Sequence, residues 1–268
     1  MSPASTITLA GGARMPVLGL GTWQLTGPAA TDGVSHALEI GYRLIDTSGD
    51  YGNQPQIGGA LRSSPVDRDE LFLVSKVEED EESFESARGK AEELGVEHLD
   101  LCLLHRPPPD GAGESLWEGL IRARDEGIAR EIGVSNYTSE QIDRLIEATG
   151  ETPAVNQVEW SPFGFSEELL EHATETGVVI QAYSPLTRGE RLGDEALGEI
   201  AASHGKTPAQ ILLRWDIEMG TPPVPKAASR EHREENLDVF DFELDEDGMR
   251  ELLGLNEHYS SLAGLPYV

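Results

Sequence analysis

The chain has 268 residues, with 49 Asp and Glu against 20 Lys and Arg and a formal net charge of -29. A hydrophobic content of 38% supports a sizeable core and excludes a disordered acidic tail, while charge of this sign, unrelieved by any basic cluster, excludes nucleic acid or an anionic membrane as the main partner. The single Cys102 rules out an internal disulfide, and neither a basic-then-apolar leader nor an eighteen-residue apolar run is seen, so the expected setting is cytoplasmic.

Only four residues are lysine: Lys76, Lys90, Lys206 and Lys226. Concentrated salt shortens the reach of carboxylate repulsion to roughly 3 Å at 1 M, so a surface of this kind suits a salt-adapted protein; acidity serving ordinary solubility is the other reading.

In chain order, residues 6–9 and 15–18 flank Gly11-Gly12 and predict a small hairpin. Gly19-Leu-Gly21 opens a main sheet. Helix 33–40, strand 43–46, helix 55–61 and strand 71–75 follow. In helix 81–94, Phe84, Ala87, Ala91 and Leu94 share one face. The apolar run 99–104 suits a strand covered on both sheet faces. Helix 116–125, strand 131–134, helix 139–148 and strand 154–158 keep the rhythm, as do helix 166–176 and strand 178–182. Helices 195–203 and 208–215, a short extended piece at 223–225, and helices 231–237 and 245–253 complete it. Thr138-Ser-Glu-Gln141 suits a helix start, where a hydroxyl caps free amides. Eight extended pieces from Gly19 onward, alternating with helices, fit a closed (β/α)8 TIM barrel in a single domain over 1–268, with the hairpin at its N-terminus. No repeat or low-complexity linker divides it.

Chemistry in such a barrel lies at the C-terminal ends of the strands. Asp46, Lys76 and His105 end three predicted strands, and Tyr51 follows Asp46 in a loop. Singly, a strand-end Asp is also a turn cap, a loop Tyr also packing, an isolated His also structural. Jointly they form a proton-transfer unit: an ammonium beside a phenol stabilises phenolate and lowers a tyrosine from about 10, the carboxylate positions the lysine, and histidine orients a carbonyl by donating a hydrogen bond.

The chain resembles the aldo-keto reductases, specifically small bacterial and archaeal members including diketo-sugar-acid reductases, and its composition resembles that of a halophilic archaeal member. The matching phrases are Gly41-Tyr-Arg-Leu-Ile-Asp-Thr-Ser-Gly-Asp-Tyr-Gly-Asn53, Val74-Ser-Lys76, Leu103-Leu-His-Arg-Pro107, Ile132-Gly-Val-Ser-Asn136, Val155-Asn-Gln-Val-Glu159, Ala182-Tyr-Ser-Pro-Leu186, Val224-Pro-Lys226 and Glu235-Asn-Leu-Asp-Val-Phe-Asp-Phe-Glu-Leu244. The resemblance implies NAD(P)H-dependent reduction of a small aldehyde or ketone, with Tyr51 as general acid, Lys76 tuning it, Asp46 holding Lys76, His105 orienting the carbonyl, and no metal. It implies Tyr183 stacking on a nicotinamide and Ser135, Asn136 and Gln157 holding its carboxamide. Gly21 and Thr22 lie beneath the same end, with Asp46 and Ser184 beside it and Leu186 at the diphosphate. Lys226 and His232 then face the ribose phosphate, and Glu235 and Asn236 the adenine.

Ala227 and His232 stand where NADPH-preferring members commonly place serine and arginine, with Arg230 and Arg233 nearby. NADP(H) is favoured, and NAD(H) or dual use stays open. Trp23, Tyr51, His105, Arg106 and Trp160 are the expected substrate contacts. Arg106 replaces a common tryptophan and hints at an anionic or hydroxylated substrate, although pairing with a surface acid explains it equally. The tail after Asn256 is expected to cover part of the pocket or to pack on the barrel. The competing functional class is a catalytically weak, cofactor-binding barrel serving as a regulatory subunit; the intact quartet argues against it. The oligomeric state is not legible.

Overall fold

The computed structural model describes residues 1–262, 264, 265 and 267. Seven strands pair in parallel in chain order: β3 (Gly19–Gly21), β4 (Leu44–Asp46), β5 (Phe72–Val77), β6 (Leu99–Leu104), β7 (Ala129–Ser135), β8 (Val155–Glu159) and β9 (Val179–Tyr183). The eighth piece closes the ring. Val224 donates its amide to Ala182 O at 2.9 Å, while Gly19 and Gly21 donate to Pro223 O and Pro225 O, both at 3.0 Å. Prolines at 222, 223 and 225 have no amide to give, so this segment pairs mainly through its carbonyls and forms isolated bridges rather than a regular ladder. Gly21 is required at the seam, because a Cβ there would lie 2.5 Å from Val224 O.

The hairpin β1 (Thr6–Thr8) and β2 (Arg14–Pro16) pairs Ile7 with Met15 and stands at the N-terminal end of the barrel. Leu9 and Met15 plug that end against Leu44, Phe72, Leu101 and Val155, and buried Glu131 accepts the Ala13 amide at 3.0 Å. A second, larger apolar layer lies between sheet and helices and holds the fully buried Trp117, Trp160 and Trp215. Aromatic burial of this kind is worth about 4–6 kcal/mol of transfer free energy per side chain before ordering entropy, which keeps the strand ends fixed.

The helices are α1 (Pro28–Ile40), α2 (Gln54–Ser63), α3 (Ser83–Leu94), α4 (Glu114–Asp125), α5 (Ser139–Thr149), α6 (Glu167–Thr176), α7 (Glu195–His204), α8 (Pro208–Glu218), α9 (Arg230–Leu237) and α10 (Glu246–Leu253). Helix α1 begins five residues before the expected Gly33, since Pro28 supplies a first-turn residue whose missing amide is not needed. The Thr138–Gln141 and Thr207–Gln210 pairs form reciprocal capping boxes that fix the starts of α5 and α8. Among the described residues, no helix is long and apolar enough to cross a membrane.

Candidate active site

A cavity of about 900 Å³ opens where the barrel strands end in the C-terminal direction. Strand β4 delivers Asp46, and a 3-10 turn (Gly49–Tyr51) delivers Tyr51; Ser48 Oγ caps that turn by accepting the Asp50 amide. Strand β5 carries Lys76, and His105 follows β6 directly.

Lys76 is 1% exposed and donates to Asp46 Oδ1 at 2.8 Å, Asp46 Oδ2 at 3.0 Å and Thr47 O at 2.9 Å. Its Nζ lies 5.2 Å from the Tyr51 ring centroid. Burial disfavours the ammonium, but Asp46 and then Tyr51 outweigh it and hold Lys76 above its ordinary pKa. For Tyr51 the balance corrects the simple expectation of a lowered phenol. Burial raises it, the Lys76 charge only partly offsets that, Asp46 adds to the rise, and the net direction is upward. A phenol so placed holds its proton at neutral pH.

The cavity wall also carries Ser135, Asn136, Gln157 and Tyr183. Tyr183 donates to Asn136 Oδ1 at 2.7 Å, and Asn136, whose φ is 66°, donates to His105 O and Ser135 Oγ, both at 3.1 Å. Gln157 Nε2 donates to Asp46 Oδ2 and Gln181 Oε1, both at 2.7 Å, so its own Oε1 remains the acceptor. Gly21, Ser184, Leu186, Lys226 and His232 line the same space, with Trp23 and Arg106. Three lysines are paired with carboxylates: Lys76 with Asp46, Lys90 with Glu81, and Lys206 with Asp238 and Asp241. Lys226 has no such partner among the described residues.

Other expected positions fall away from the wall. Thr22 is fully buried, giving its hydroxyl to Asp46 O at 2.8 Å, and thereby braces β4 from behind. Trp160 is corrected from a substrate contact to a packing residue: it is 0% exposed, off the cavity wall, and lies against Phe165 and Tyr267 at 5.7 and 6.0 Å. Glu235 is off the wall as well and accepts Thr207 Oγ1 at 2.5 Å. Asn236 is 2% exposed, and its Nδ2 is buried without a hydrogen-bond partner. Arg233 is committed inward, donating to His36 Nδ1 at 3.1 Å, Ala227 O at 2.9 Å and Ala228 O at 3.1 Å, and so is not available to a phosphate. In the tail, Leu262 and Gly264 line the cavity, while Tyr267 donates to Glu159 O; Ala263, Pro266 and Val268 lie outside the described residues.

Two wall neighbours were absent from the sequence reading. Glu78 binds His105 Nδ1 through both oxygens, at 2.7 and 2.9 Å. The signal for it was alternation, since Glu78 lies two residues beyond Lys76 and strand periodicity sends both side chains the same way. Arg188, in the turn after β9, stacks its guanidinium 4.4 Å from the Trp23 ring centroid. No local pattern pairs these two positions.

The model of the aldo/keto reductase family matches residues 17–257. An aldo-keto reductase of Mycobacterium tuberculosis is 44% identical over 259 residues, covering 95% of this chain and 92% of that protein. The 2,5-diketo-D-gluconic acid reductase B of a Corynebacterium species is 41% identical, covering 93% of this chain and 92% of its own. The crystal structure of a Bombyx mori aldo-keto reductase in complex with NADP superposes with a TM-score of 0.91 at 31% identity, over 98% of this chain and 96% of that one.

Proposed function

The chain belongs to the aldo/keto reductase family, and from that premise we propose how the residues at its mouth divide the chemistry. The protein is an NAD(P)H-dependent oxidoreductase that reduces an aldehyde or ketone to an alcohol by hydride transfer. A reduced nicotinamide, when bound, supplies the hydride to the carbonyl carbon. Tyr51 gives its phenolic proton to the carbonyl oxygen, and in the reverse direction accepts the alcohol proton. Lys76 stabilises the resulting phenolate, Asp46 holds Lys76 in place, and His105 meets the carbonyl oxygen from the side, so the stabilisation peaks as charge develops on that oxygen. The observation carrying this reading is the buried Lys76–Asp46 pair beside the Tyr51 ring in the cavity.

For the dinucleotide we propose NADP(H). The donor set fits: Gln157 keeps a free acceptor for a carboxamide N–H, the ring of Tyr183 lies on the same wall, and Lys226 is available to a phosphate. The Asn236 Nδ2, off the wall, is a buried donor without a protein partner among the described residues and is the group suited to an adenine acceptor. Ser135 and Asn136 brace the carboxamide end, with Gly21 and Ser184 beside it and Leu186 at the diphosphate, while Thr22 acts from behind by bracing Asp46. The Bombyx relative's complex with NADP supports the choice. His232 in place of a guanidinium weakens it and keeps NAD(H) or dual use open.

Arg106 at the rim, together with the diketo-acid reductase among the relatives, supports a small carbonyl substrate bearing a carboxylate or hydroxyls. The acidic, lysine-poor surface supports a salt-rich cytoplasm as the working environment. One panel tests the reading: NADPH and NADH consumption with aldehydes, keto acids and diketones, at low and multimolar KCl. Turnover of the acidic carbonyls with NADPH, sustained or raised by salt, is the expected result. Inactivity across the panel, with Tyr51→Phe indistinguishable from the unmodified chain, contradicts it.

A further inference from the structure

His105 lines the cavity, and Glu78 stands behind it as its carboxylate partner. The Glu78 carboxylate straddles Nδ1 at 2.7 and 2.9 Å, and Ser48 Oγ donates to Glu78 Oε1 at 3.1 Å. The side chains are 10% and 15% exposed, so water screens the pair weakly. Burial opposes the Glu78 carboxylate, but the His105 hydrogen bond, Ser48 and Arg106 together hold it below the ordinary carboxylate pKa, and it is ionised at neutral pH.

An ionised carboxylate is acceptor-only, so Nδ1 must carry a proton. The consequence for the other nitrogen is strict. In a neutral ring whose proton sits on Nδ1, Nε2 holds a lone pair and cannot donate to a carbonyl oxygen; it donates only when both nitrogens are protonated. Nε2 has no protein partner among the described residues. The charged groups around the ring are Glu78 beyond β5, Asp50 in the turn after β4, whose carboxylate lies within 4.8 Å of the other two donor atoms, and Arg106 next in sequence. Tyr51 presents its ring at 6.2 Å, edge-on, and behind it Lys76 and Asp46 neutralise one another. Two carboxylates against one guanidinium leave a negative surplus around the imidazole.

We propose that Glu78 is a positioning residue that holds His105 as a doubly protonated ring, so that Nε2 offers a charged hydrogen bond to the substrate carbonyl oxygen opposite the Tyr51 hydroxyl. The site then carries two donors, one neutral and one cationic, and only the second depends on Glu78. This inference rests on the proposed role of His105, and its test keeps the two apart. Glu78→Gln preserves an acceptor for Nδ1 and removes the charge. Its reductive kcat is expected to fall about 100-fold at pH 8, the size of losing one donor to a developing oxyanion, and to recover as the pH is lowered, with dinucleotide affinity unchanged. Nitrogen-15 NMR of the full chain saturated with the dinucleotide it turns over provides a readout independent of rate. It should show both His105 nitrogens protonated at pH 7, and one of the two unprotonated in the Gln variant at the same pH.

A Gln variant with unchanged kcat and an unchanged pH profile overturns the proposal. So does an equal loss at every pH, which would mean orientation alone, or an unprotonated Nε2 in the unmodified enzyme. Failure of the underlying reading looks different: Tyr51→Phe would keep full activity whatever residue stands at 78.

Discussion

Replacing Lys76 by methionine separates what the buried ion pair does for the fold from what it does for the reaction. The ammonium makes three hydrogen bonds of 2.8–3.0 Å, two of them to Asp46, whose side chain is 5% exposed. In Lys76→Met the carboxylate keeps only the Gln157 amide, at 2.7 Å. Leaving one partner of such a pair buried and uncompensated costs about 3–5 kcal/mol. At roughly 2–4 °C per kcal/mol for a chain of this size, Tm should drop by roughly 6–20 °C. The double variant Asp46→Asn/Lys76→Met removes both charges and should regain most of that loss, because the large term is the orphaned charge rather than the absence of attraction. Its activity should not return, since phenolate beside a thioether has nothing to stabilise it. Paired thermal melts and steady-state assays of the two single variants and the double make the cycle. The reasoning is refuted if Lys76→Met melts with the unmodified protein, or if the double variant reduces carbonyls at the original rate.

Three further outcomes are expected. His232→Arg should raise the NADPH-to-NADH ratio of kcat/KM by about tenfold, the size of one charge-assisted hydrogen bond; an unchanged ratio in steady-state comparison would remove His232 from the cofactor site. With Tyr51 held above its usual value of about 10, reduction should show no loss assignable to that phenol near neutrality, and oxidation should climb with pH; rate profiles in both directions between about pH 6 and 10 check this, and a phenolic loss near pH 7 counts against it. Asp216 in α8 is fully buried with both carboxyl oxygens unpartnered, the Thr221 hydroxyl going to its backbone carbonyl instead, and burial pushes its pKa well above the usual range. The unfolded chain loses that proton near pH 4 while the folded chain keeps it, so stability falls as pH rises from there through the folded value. Asp216→Asn should therefore gain on the unmodified protein by about 1.4 kcal/mol per pH unit across that window, measured by denaturant midpoints; parallel curves would refute the assignment.

Much of the architecture was legible because it is written locally. The apolar run at 99–104, the extended piece at 131–134, a capping phrase at Thr138–Gln141 and glycines at 19 and 21 each specify their own segment, and their alternation specifies a barrel. The closing piece at 223–225 is legible as an extended segment, although its prolines deny it a regular ladder. The start of α1 was missed because Gly27-Pro-Ala-Ala reads as a turn until packing of Ala30 commits it to a helix. For the candidate site, the quartet of Asp46, Tyr51, Lys76 and His105 was visible as polar residues at or just beyond strand ends. What escaped was every relation made between distant segments: Glu78 with His105, Arg188 with Trp23, Arg233 with His36, and the retreat of Trp160 into packing. Such pairings depend on how the loops are carried by a closed ring, and no spacing in the chain encodes them.

The central claim is that the Tyr51 hydroxyl donates the proton that completes carbonyl reduction. Single-turnover hydride transfer to an aldehyde by Tyr51→Phe, with the dinucleotide pre-bound and its affinity measured separately, tests it directly. The account predicts unchanged dinucleotide affinity and a transfer rate lowered by about 10²–10⁴-fold, the usual contribution of a positioned acid. Transfer at the unmodified rate in the phenylalanine variant would contradict it.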